Sequence, residues 1–580
     1  MRLPSIVSLA EQSRDVLQRF PWTMLLATIA AAAAIVATTK SADVEWARIA
    51  MVAALGLPLT IALTLVAEER GWSPASAAGV NLAGIALLIV FYFAWPGPDR
   101  KHEAIRYFQL SAGLHLLVAF LPFVRRPETG AFWQYNRRLF LGFLRAYVFS
   151  QVLFIGLAIA LGALDKLFGV DVPAEMYGRT ALTIALVVNT AIFLAVVPVN
   201  LQGLATDTEY PRVLKLFSQY ILTPLVFIYL LILLAYLVKI VVGGEWPSGW
   251  IGWLVTSVAV AGLLGFLLIH PLRDEPDEPW IRTYSRWLFV GLIPAAIMLL
   301  VAFWKRILPY GLTELRLLGI LLGLWLLVIA VRYTVRQRSG IQLIPFTLAI
   351  LFLVTSYGPL SVTRLSVGSQ GSRLRKLVAE SKAGRRNDRE ASAALRFLLD
   401  HGARRQIGSA IGIELPAVHW AKVQDDRHGR DSAASRIMAA AGMRYLSEHS
   451  LASRTGSVYL SAWRRGAVRI SGYDWMMPVS PHGTSATTID GDSVHVVFDT
   501  MGVARVTAGR DTLSFDLRPL ARAIALDSTI APHDIAPARM RVHTTAGSVK
   551  GMLALESLNG RWEGDSLRII GWQGMLFLDR

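Results

Sequence analysis

The sequence predicts a membrane bundle of about eleven transmembrane helices, all α, followed by a soluble α+β domain with an antiparallel sheet. Of its 580 residues, 54% are hydrophobic and only 17% are charged, and the mean hydropathy is +0.46. That composition is more apolar than is usual for soluble globular proteins. The apolar residues come in long runs that stop after about residue 362, and from residue 456 apolar and polar side chains alternate as they do in strands.

The membrane part is predicted from the length of each apolar run. A hydrocarbon core about 30 Å thick needs roughly 20 apolar residues per helix. Gln109, Ser111 and His115 make the fourth run the least apolar. Arginines around residue 336 divide the last long block into two spans. The predicted spans are 21–39, 49–67, 75–95, 107–123, 144–163, 180–199, 220–242, 250–270, 287–304, 317–335 and 341–357.

Residues 1–20 are predicted to form an amphipathic segment before the first span. Arg14 and Arg19 lie on the polar side of Ile6–Phe20. The apolar run that follows is long enough to cross a bilayer. An uncleaved first helix is therefore favoured over a signal peptide.

Lysine and arginine in the short loops predict the orientation. With the N-terminus inside, sixteen basic residues fall on the cytoplasmic side and eleven on the other side. The positive-inside rule favours this arrangement. Eleven spans would then place the C-terminal domain outside the cytoplasm.

The rest of the chain is predicted to contain a mainly helical connector, 363–455, and a β-rich soluble domain, 456–580. About 120 residues of alternating strands are enough for a sheet with its own core. A short helix is predicted at Leu520–Ala525. The predicted strands are Ser457–Trp463, Ala467–Tyr473, Val494–Asp499, Gly502–Thr507, Thr512–Leu517, Arg539–Thr544, Lys550–Leu555 and Leu567–Leu578.

Composition and motifs argue against several functions. The chain has no cysteine, which excludes disulfides, thiolate metal sites and cysteine nucleophiles. The net charge is +17, but the basic residues of the C-terminal domain are spread out, so no nucleic acid partner is predicted. The sequence contains no P-loop, GxSxG, HExxH or Gly-rich dinucleotide turn. It therefore predicts no catalytic, cofactor-binding or metal-binding residue, and it favours a protein that is not an enzyme.

Two loop signatures are candidate ligand positions. In the first, Tyr310–Arg316, Thr313 can cap the tenth span and Glu314 complements the helix dipole. The alternative is a ligand site in which Tyr310 and Glu314 face a cavity on the outer side. Trp246 and Trp250 flank a Pro-Gly turn that is typical of an interfacial anchor, and the predicted topology puts them on the same side.

Polar side chains within the predicted spans form the second group of candidates. They are Asn81, His115, Gln151 and Asn189. Polar groups are costly in lipid, so each is either bonded to a neighbouring helix or part of a functional path. Gly319 and Gly323 form a GxxxG pattern that indicates close helix packing.

Several loop motifs together resemble a family of uncharacterised bacterial multi-pass membrane proteins that is known only as a domain of unknown function. The resemblance implies an inner-membrane location and a bacterial source, but no agreed activity and no catalytic residues. The motifs that carry it lie between Phe132 and about Leu365 and are Phe132–Phe140, Tyr220–Leu225, Glu245–Pro247 with Gly249–Trp250, His270–Arg273, Ser285–Trp287, Tyr310–Arg316, Leu343–Pro345 and Tyr357–Pro359.

Two classes of function are favoured. The first is an envelope protein whose membrane bundle displays the C-terminal domain for sensing or partner binding. Its partners would be the lipid bilayer, envelope proteins or lipid headgroups. The second is a transporter or flippase-like protein with Asn81, His115, Gln151 and Asn189 along an interhelical path. A membrane-embedded enzyme ranks third, because no reactive constellation is present.

Overall fold

The computed structural model forms two compact units, Met1–Arg373 and Leu374–Arg580. The residues described are 6–39, 44–97, 101–125, 128–207, 209–244, 250–336, 340–385, 387–412, 427–446, 457–462, 472–480, 486–489, 492–498, 502–508, 511–526, 535–563 and 566–579.

The first unit consists of helices. Most of these helices carry a long run of apolar side chains with few charged residues, which is typical of helices that cross a membrane. Short 3₁₀ turns follow several of them, for example at Leu121–Phe123 and His270–Asp274. The helices are α1 (Ile6–Arg19), α2 (Pro21–Ala37), α3 (Val44–Glu69), α4 (Pro74–Ala94), α5 (Lys101–Phe120), α6 (Thr129–Phe168), α7 (Ala174–Ala195), α8 (Arg212–Gly243), α9 (Trp250–Ile269), α10 (Pro279–Tyr310), α11 (Glu314–Val335) and α12 (Leu343–Ser356).

Each of the eleven predicted runs falls on one of the helices α2 to α12. Within the described residues, nine helices are long and apolar enough to cross a membrane. A tenth is reached if α2 is joined to Ser13–Arg19, from which it is bent by 103°. Helix α12 has only 14 residues, which is short for a span. The predicted bundle is confirmed, with nine or ten spans by these measures rather than eleven.

Helices α7 and α8 each contain a π-helical segment. The segments are Ile184–Val188 in α7 and Phe217–Leu222 in α8. A π segment widens one turn by a residue and changes which side chains face inward after it. Neither segment was predicted, because apolar periodicity does not show a single inserted residue.

Burial in the first unit follows the pattern expected in lipid. Small and branched side chains such as Val255, Leu292 and Ala295 fill the interior. Large apolar side chains cover the outside, and Phe93 and Trp253 are more than three-quarters exposed. Such outward apolar surfaces are stable only against hydrocarbon. The chain is therefore a multi-pass integral membrane protein whose helices contact the bilayer.

Helix α13 (Val362–Lys382) contains the boundary between the two units. The second unit continues with α14 (Asp388–Asp400), α15 (Arg404–Ile411) and α16 (Arg427–Ala440). Helix α17 (Arg518–Leu526) follows β6 and precedes β7 along the chain. Its strands are β1 (Ser457–Ser461), β2 (Trp475–Val479), β3 (Ala486–Ile489), β4 (Asp492–Phe498), β5 (Val503–Ala508), β6 (Asp511–Asp516), β7 (Arg541–Ala546), β8 (Val549–Glu563) and β9 (Ser566–Asp579).

These strands form two antiparallel sheets. One has the order β1-β8-β9-β2, with β7 paired to β8, and the other has the order β3-β4-β5-β6. Alternating side chains such as Leu513, Phe515 and Leu553 build their common core. The predicted α+β domain with an antiparallel sheet is confirmed. The strand predicted at Ala467–Tyr473 falls almost entirely outside the described residues, and β2 and β3 were not predicted.

Candidate functional site

The turn between α10 and α11 has a main-chain geometry that requires glycine. Gly311 has φ +69°, in the left-handed region that other residues rarely adopt. A Cβ atom at this position would lie 2.8 Å from Gln370 Nε2 and 3.0 Å from Arg373 Cδ. Glycine therefore lets both side chains approach the main chain of the turn.

Three side chains of α13 hold this turn. The buried Gln370 amide donates hydrogen bonds to the carbonyl groups of Tyr310, at 3.0 Å, and Leu312, at 2.8 Å. Arg373 donates to the Pro309 carbonyl. Ser369 Oγ accepts a hydrogen bond from the Leu312 N–H. Carbonyl groups at a helix end lack intrahelical partners, so α13 satisfies groups that the end of α10 leaves open.

The predicted pair Tyr310 and Glu314 has two different environments. The Tyr310 side chain is exposed, and the Arg316 guanidinium lies 5.5 Å from its ring centroid. Arg316 also donates to the Gly311 carbonyl at 2.8 Å. Glu314 is buried in the first turn of α11, where a negative charge complements the helix dipole.

The expected cap by Thr313 is not formed. Thr313 occupies the N-cap position with extended backbone, but its side chain makes no capping hydrogen bond. The turn is instead fixed through its main chain by Ser369 and Gln370 of α13. Contacts from a helix almost sixty residues away replace the local bond that the sequence predicts.

The second loop candidate lies mostly outside the described residues. Trp246 and the rest of 245–249 lie outside the described residues. Trp250 is described only as the first residue of α9. Its role as an interfacial anchor or ligand position stays a prediction.

The four polar candidates of the spans lie on four different helices. Asn81 is buried in α4, where its Nδ2 donates to the Ala77 carbonyl. Asn189 of α7 accepts a hydrogen bond from Ser150 of α6 at 3.2 Å. His115 and Gln151 are exposed on the surfaces of α5 and α6. His115 Nδ1 also lies 2.8 Å from the Ser111 carbonyl oxygen. The structure thus gives Asn81, His115 and Asn189 local or helix-to-helix contacts.

The motif Phe132–Arg138 contributes to a polar collar at the start of α6. The collar consists of Trp133–Arg138 together with Asp207, Glu209 and Tyr210. The Trp133 ring stacks on Tyr210, with centroids 5.3 Å apart. Gln134 Nε2 donates to the Asp207 carbonyl at 2.7 Å, and Arg137 donates to the Glu209 carbonyl at 2.7 Å. These side chains are therefore bound by the main chain of the loop that precedes α8.

Asp207 is the charged centre of this collar. Its carboxylate lies 3.2 Å from the Arg137 guanidinium and 3.0 Å from that of Arg138. Partial burial opposes ionisation, but the Glu209 N–H and the two guanidinium groups outweigh it and hold the pKa of Asp207 below its usual value. Local sequence could not reveal this ion pair, because its partners are about 70 residues apart.

A further ion pair is fully local. Glu103 is buried at the start of α5 and accepts two hydrogen bonds from Arg106, at 2.8 and 2.6 Å. The Arg106 guanidinium lies over the Tyr357 ring, 4.7 Å from its centroid. The spacing of three residues in a helix was a signal that could have identified this pair. Within the described residues, no group of three or more His, Asp or Glu side chains could hold a metal ion.

The known proteins that are similar to this chain have no assigned function. The profile of the family described as "Domain of unknown function (DUF4153)" matches residues 24–376, which include the turn, the collar and the start of α13. The chain belongs to this family. A curated relative is the uncharacterised protein PM1469 of Pasteurella multocida, which is 25% identical over 315 residues. That match covers 53% of this chain and 51% of the relative, so the chain spans about half of the relative's length. No solved structure matches the chain.

Proposed function

We propose that this DUF4153 protein anchors its second unit in a bacterial inner membrane and displays it outside the cytoplasm for sensing or partner binding. The single observation that carries the proposal is the contact between the turn at Tyr310–Glu314 and α13. Gln370, Ser369 and Arg373 fix the first half of α13 to the membrane unit. The second half of the same helix belongs to the second unit.

The composition of the second unit supports display. It has its own buried apolar core in two antiparallel sheets, as a domain exposed to water requires. The membrane unit, in contrast, presents apolar side chains to lipid. A unit of this kind serves as an anchor, and the water-exposed unit is the part that a soluble partner can reach.

The orientation supports display outside the cytoplasm. Sixteen basic loop residues on the N-terminal side against eleven on the other favour a cytoplasmic N-terminus. If all of α2 to α12 cross the membrane, as the eleven predicted spans do, the turn before α11 and the start of α13 lie on the outer side.

The absence of native cysteine allows a direct test of this orientation. Single cysteines are introduced at Ser548, an exposed turn residue between β7 and β8, and at Glu275, an exposed loop residue before α10. We expect a membrane-impermeant maleimide to label Ser548→Cys in cells whose outer membrane is permeabilised and to label Glu275→Cys only after lysis. The wild-type chain is the matched unlabelled control. The opposite pattern would place the second unit in the cytoplasm and would exclude the proposal.

A further inference from the structure

A pocket of about 180 Å³ lies between the turn that joins α3 to α4 and the turn that joins α5 to α6. It is called the basic pocket here, because Arg70 and Arg125 line it. Two segments that are long and apolar enough to cross a membrane, Val44–Glu69 and Lys101–Phe123, end beside it. The pocket therefore lies where the headgroup region of a bilayer is expected. It is smaller than the sites of about 300–1,000 Å³ that enclose drug-sized ligands, so it suits a small chemical group.

The end of α3 fixes the first side of the basic pocket. Gly71 has φ +61°, and its N–H donates to the Glu68 carbonyl at 3.0 Å. The Trp72 N–H donates to the Ala67 carbonyl, also at 3.0 Å. These two hydrogen bonds form a Schellman motif, which ends the helix at a defined residue. The main chain at Arg70, directly before the glycine, is thus held in one position.

The short 3₁₀ turn after α5 fixes the second side. Phe123 in this turn is buried, and its ring packs edge-on against Phe132 of α6, with centroids 5.6 Å apart. Pro122 beside it is also buried. Arg125 follows directly from this packed turn. Two turns that are far apart in the chain thus bring Arg70 and Arg125 to one pocket.

Neither arginine is neutralised by the protein. Within the part of the chain that the structure describes, neither guanidinium forms a hydrogen bond or an ion pair. The Arg70 guanidinium lies over the Trp72 ring, 5.4 Å from its centroid. The nearby Glu68 carboxylate is bound by Arg19 through two hydrogen bonds of 2.8 Å. Both guanidinium groups therefore keep their donors for another group.

The charge of the lining indicates an anion. Glu69 also lines the basic pocket, so two guanidinium groups and one carboxylate leave a net charge of +1. One phosphodiester carries the opposite charge. A single exposed arginine is ordinary, but two like charges in one pocket repel each other unless an anion lies between them. Guanidinium groups match the oxygen atoms of phosphate through paired hydrogen bonds.

The apolar side chains around the pocket indicate that the phosphate belongs to a lipid. Val66 and Pro122 in the lining are buried, whereas Val124 is 53% exposed. Trp72 is exposed beside Arg70, as aromatic side chains are at membrane interfaces. Exposed apolar groups at this level are stable against acyl chains. Basic pockets between transmembrane helices are sites at which lipid headgroups bind.

We propose that the basic pocket binds the phosphate of one phospholipid. Arg70 and Arg125 donate hydrogen bonds to the phosphate oxygens, and Trp72 and Val124 contact the glycerol and the first part of the acyl chains. A soluble phosphate ester offers the same phosphate without the chains, and the experiment separates these two sources. The proposal does not depend on the orientation of the chain, because both surfaces of a bilayer carry phospholipid phosphates.

The test uses the full-length protein, delipidated in detergent, with phosphatidylglycerol as the probe. Native mass spectrometry measures the lipid retained per chain. Diacylglycerol with the same acyl chains lacks the phosphate and is the matched control lipid. We expect the wild type to retain one phosphatidylglycerol and to bind diacylglycerol at least about tenfold more weakly, because the charge-assisted hydrogen bonds are missing. Equal retention of the two lipids would overturn the proposal.

Variants of the lining test the two arginines. Arg70→Gln and Arg125→Gln each remove one guanidinium group and should each weaken phosphatidylglycerol binding about tenfold. Arg212→Gln is the matched control, since Arg212 is an exposed arginine at the start of α8 that does not line the pocket. It should bind as the wild type does. An equal loss in all three variants would overturn the proposal, because general surface charge would then explain the binding.

Two further measurements separate folding and ligand source from binding. Both arginines are exposed, so the Tm of each variant without lipid should equal that of the wild type. Arg125→Lys keeps the charge but not the paired donors, and it should bind phosphatidylglycerol more weakly than the wild type and more tightly than Arg125→Gln. Phosphatidylglycerol should raise the Tm, whereas glycerol 3-phosphate at the same concentration should not. An equal rise with glycerol 3-phosphate would overturn the assignment to a lipid and make the pocket a site for a soluble phosphate ester.

Discussion

The side chain of Gln370 satisfies two main-chain carbonyl groups that the end of α10 leaves open. It is 2% exposed, so water cannot replace it when it is removed. Its effect depends on Gly311, because any larger residue at 311 would occupy the position of the amide. Nothing in the local sequence distinguishes Gln370 from a surface glutamine, yet its side chain makes a structural contact in the membrane unit.

Replacing Gln370 tests this contact. We expect Gln370→Leu to lower the free energy of unfolding by about 1–3 kcal/mol, because the Leu312 carbonyl loses its donor and the Tyr310 carbonyl keeps only the longer hydrogen bond from Arg316, at 3.3 Å. Thermal unfolding of the purified protein measures the effect. Ser372→Ala, at an exposed position of the same helix, is the control and should change stability by less than about 0.5 kcal/mol. Equal losses for the two variants would contradict the assigned role of Gln370.

The charge of Asp207 contributes to the stability of the fold. Its pKa is lower in the folded protein than its ordinary value of 3.8, so folding favours the ionised form. The resulting stabilisation is complete above that ordinary value. It is lost as the pH falls through the lowered pKa of the folded state.

We therefore expect Asp207→Asn to destabilise the protein by about 1–3 kcal/mol at neutral pH, since Arg137 and Arg138 lose a charged acceptor. The difference from the wild type should be constant between about pH 5 and 8 and should shrink below about pH 4. Thermal unfolding at a series of pH values measures it. Asp277→Asn, in the exposed loop before α10, is the control. A difference that grows as the pH falls would have the wrong sign for this account.

At the scale of elements, α10 and α11 pack through small residues. A Cβ atom at Gly319 would lie 2.3 Å from the Phe303 ring, and one at Gly323 would lie 3.0 Å from Leu300. The GxxxG pattern thus marks a real close approach between consecutive helices, as small residues do in membrane bundles. The Tyr310–Glu314 turn joins the same two helices, so their packing also fixes the position of the turn.

Enlarging Gly319 should separate these helices. We expect Gly319→Ala to cost about 1–3 kcal/mol, because the Phe303 ring must move out of a packed interface. Gly156→Ala in α6 is the matched control, since a Cβ atom there meets nothing within 4 Å. This control should be neutral or stabilising by up to about 1 kcal/mol, as alanine favours the helix. Melting curves of the two variants in the same detergent compare them directly. A loss at 156 as large as that at 319 would mean that the contact with the Phe303 ring does not explain the result.

At the scale of the whole molecule, the sequence predicted what depends on local pattern. Apolar run length located all of α2 to α12, and period-two alternation located seven of the nine described strands. Those patterns are repeated along many residues, so one unusual residue does not hide them. The same reasoning missed β2, in which Pro478 interrupts the pattern, and β3, which has only four residues.

The contacts that make the candidate sites could not be predicted in the same way. Gln370 meets a turn 58–60 residues earlier, and Arg137 meets Asp207 about 70 residues later. Nothing in the local sequence of either residue predicts its partner. The π segment that turns Gln219 inward is also invisible to periodicity, because it shifts the pattern by only one position. Long-range packing, not local propensity, brings these groups together.

The length of helix α6 also sets the bilayer thickness that this fold matches. It has 40 residues and is therefore about 60 Å long, twice the thickness of a hydrocarbon core. Between Arg145 and Asp165 it carries no charge, and that interval of about 30 Å matches one bilayer. The collar at Trp133–Arg138 is then held in the headgroup zone. A thinner bilayer would force α6 to tilt or would draw lipid up around it, so hydrophobic mismatch at this one helix would strain the collar first.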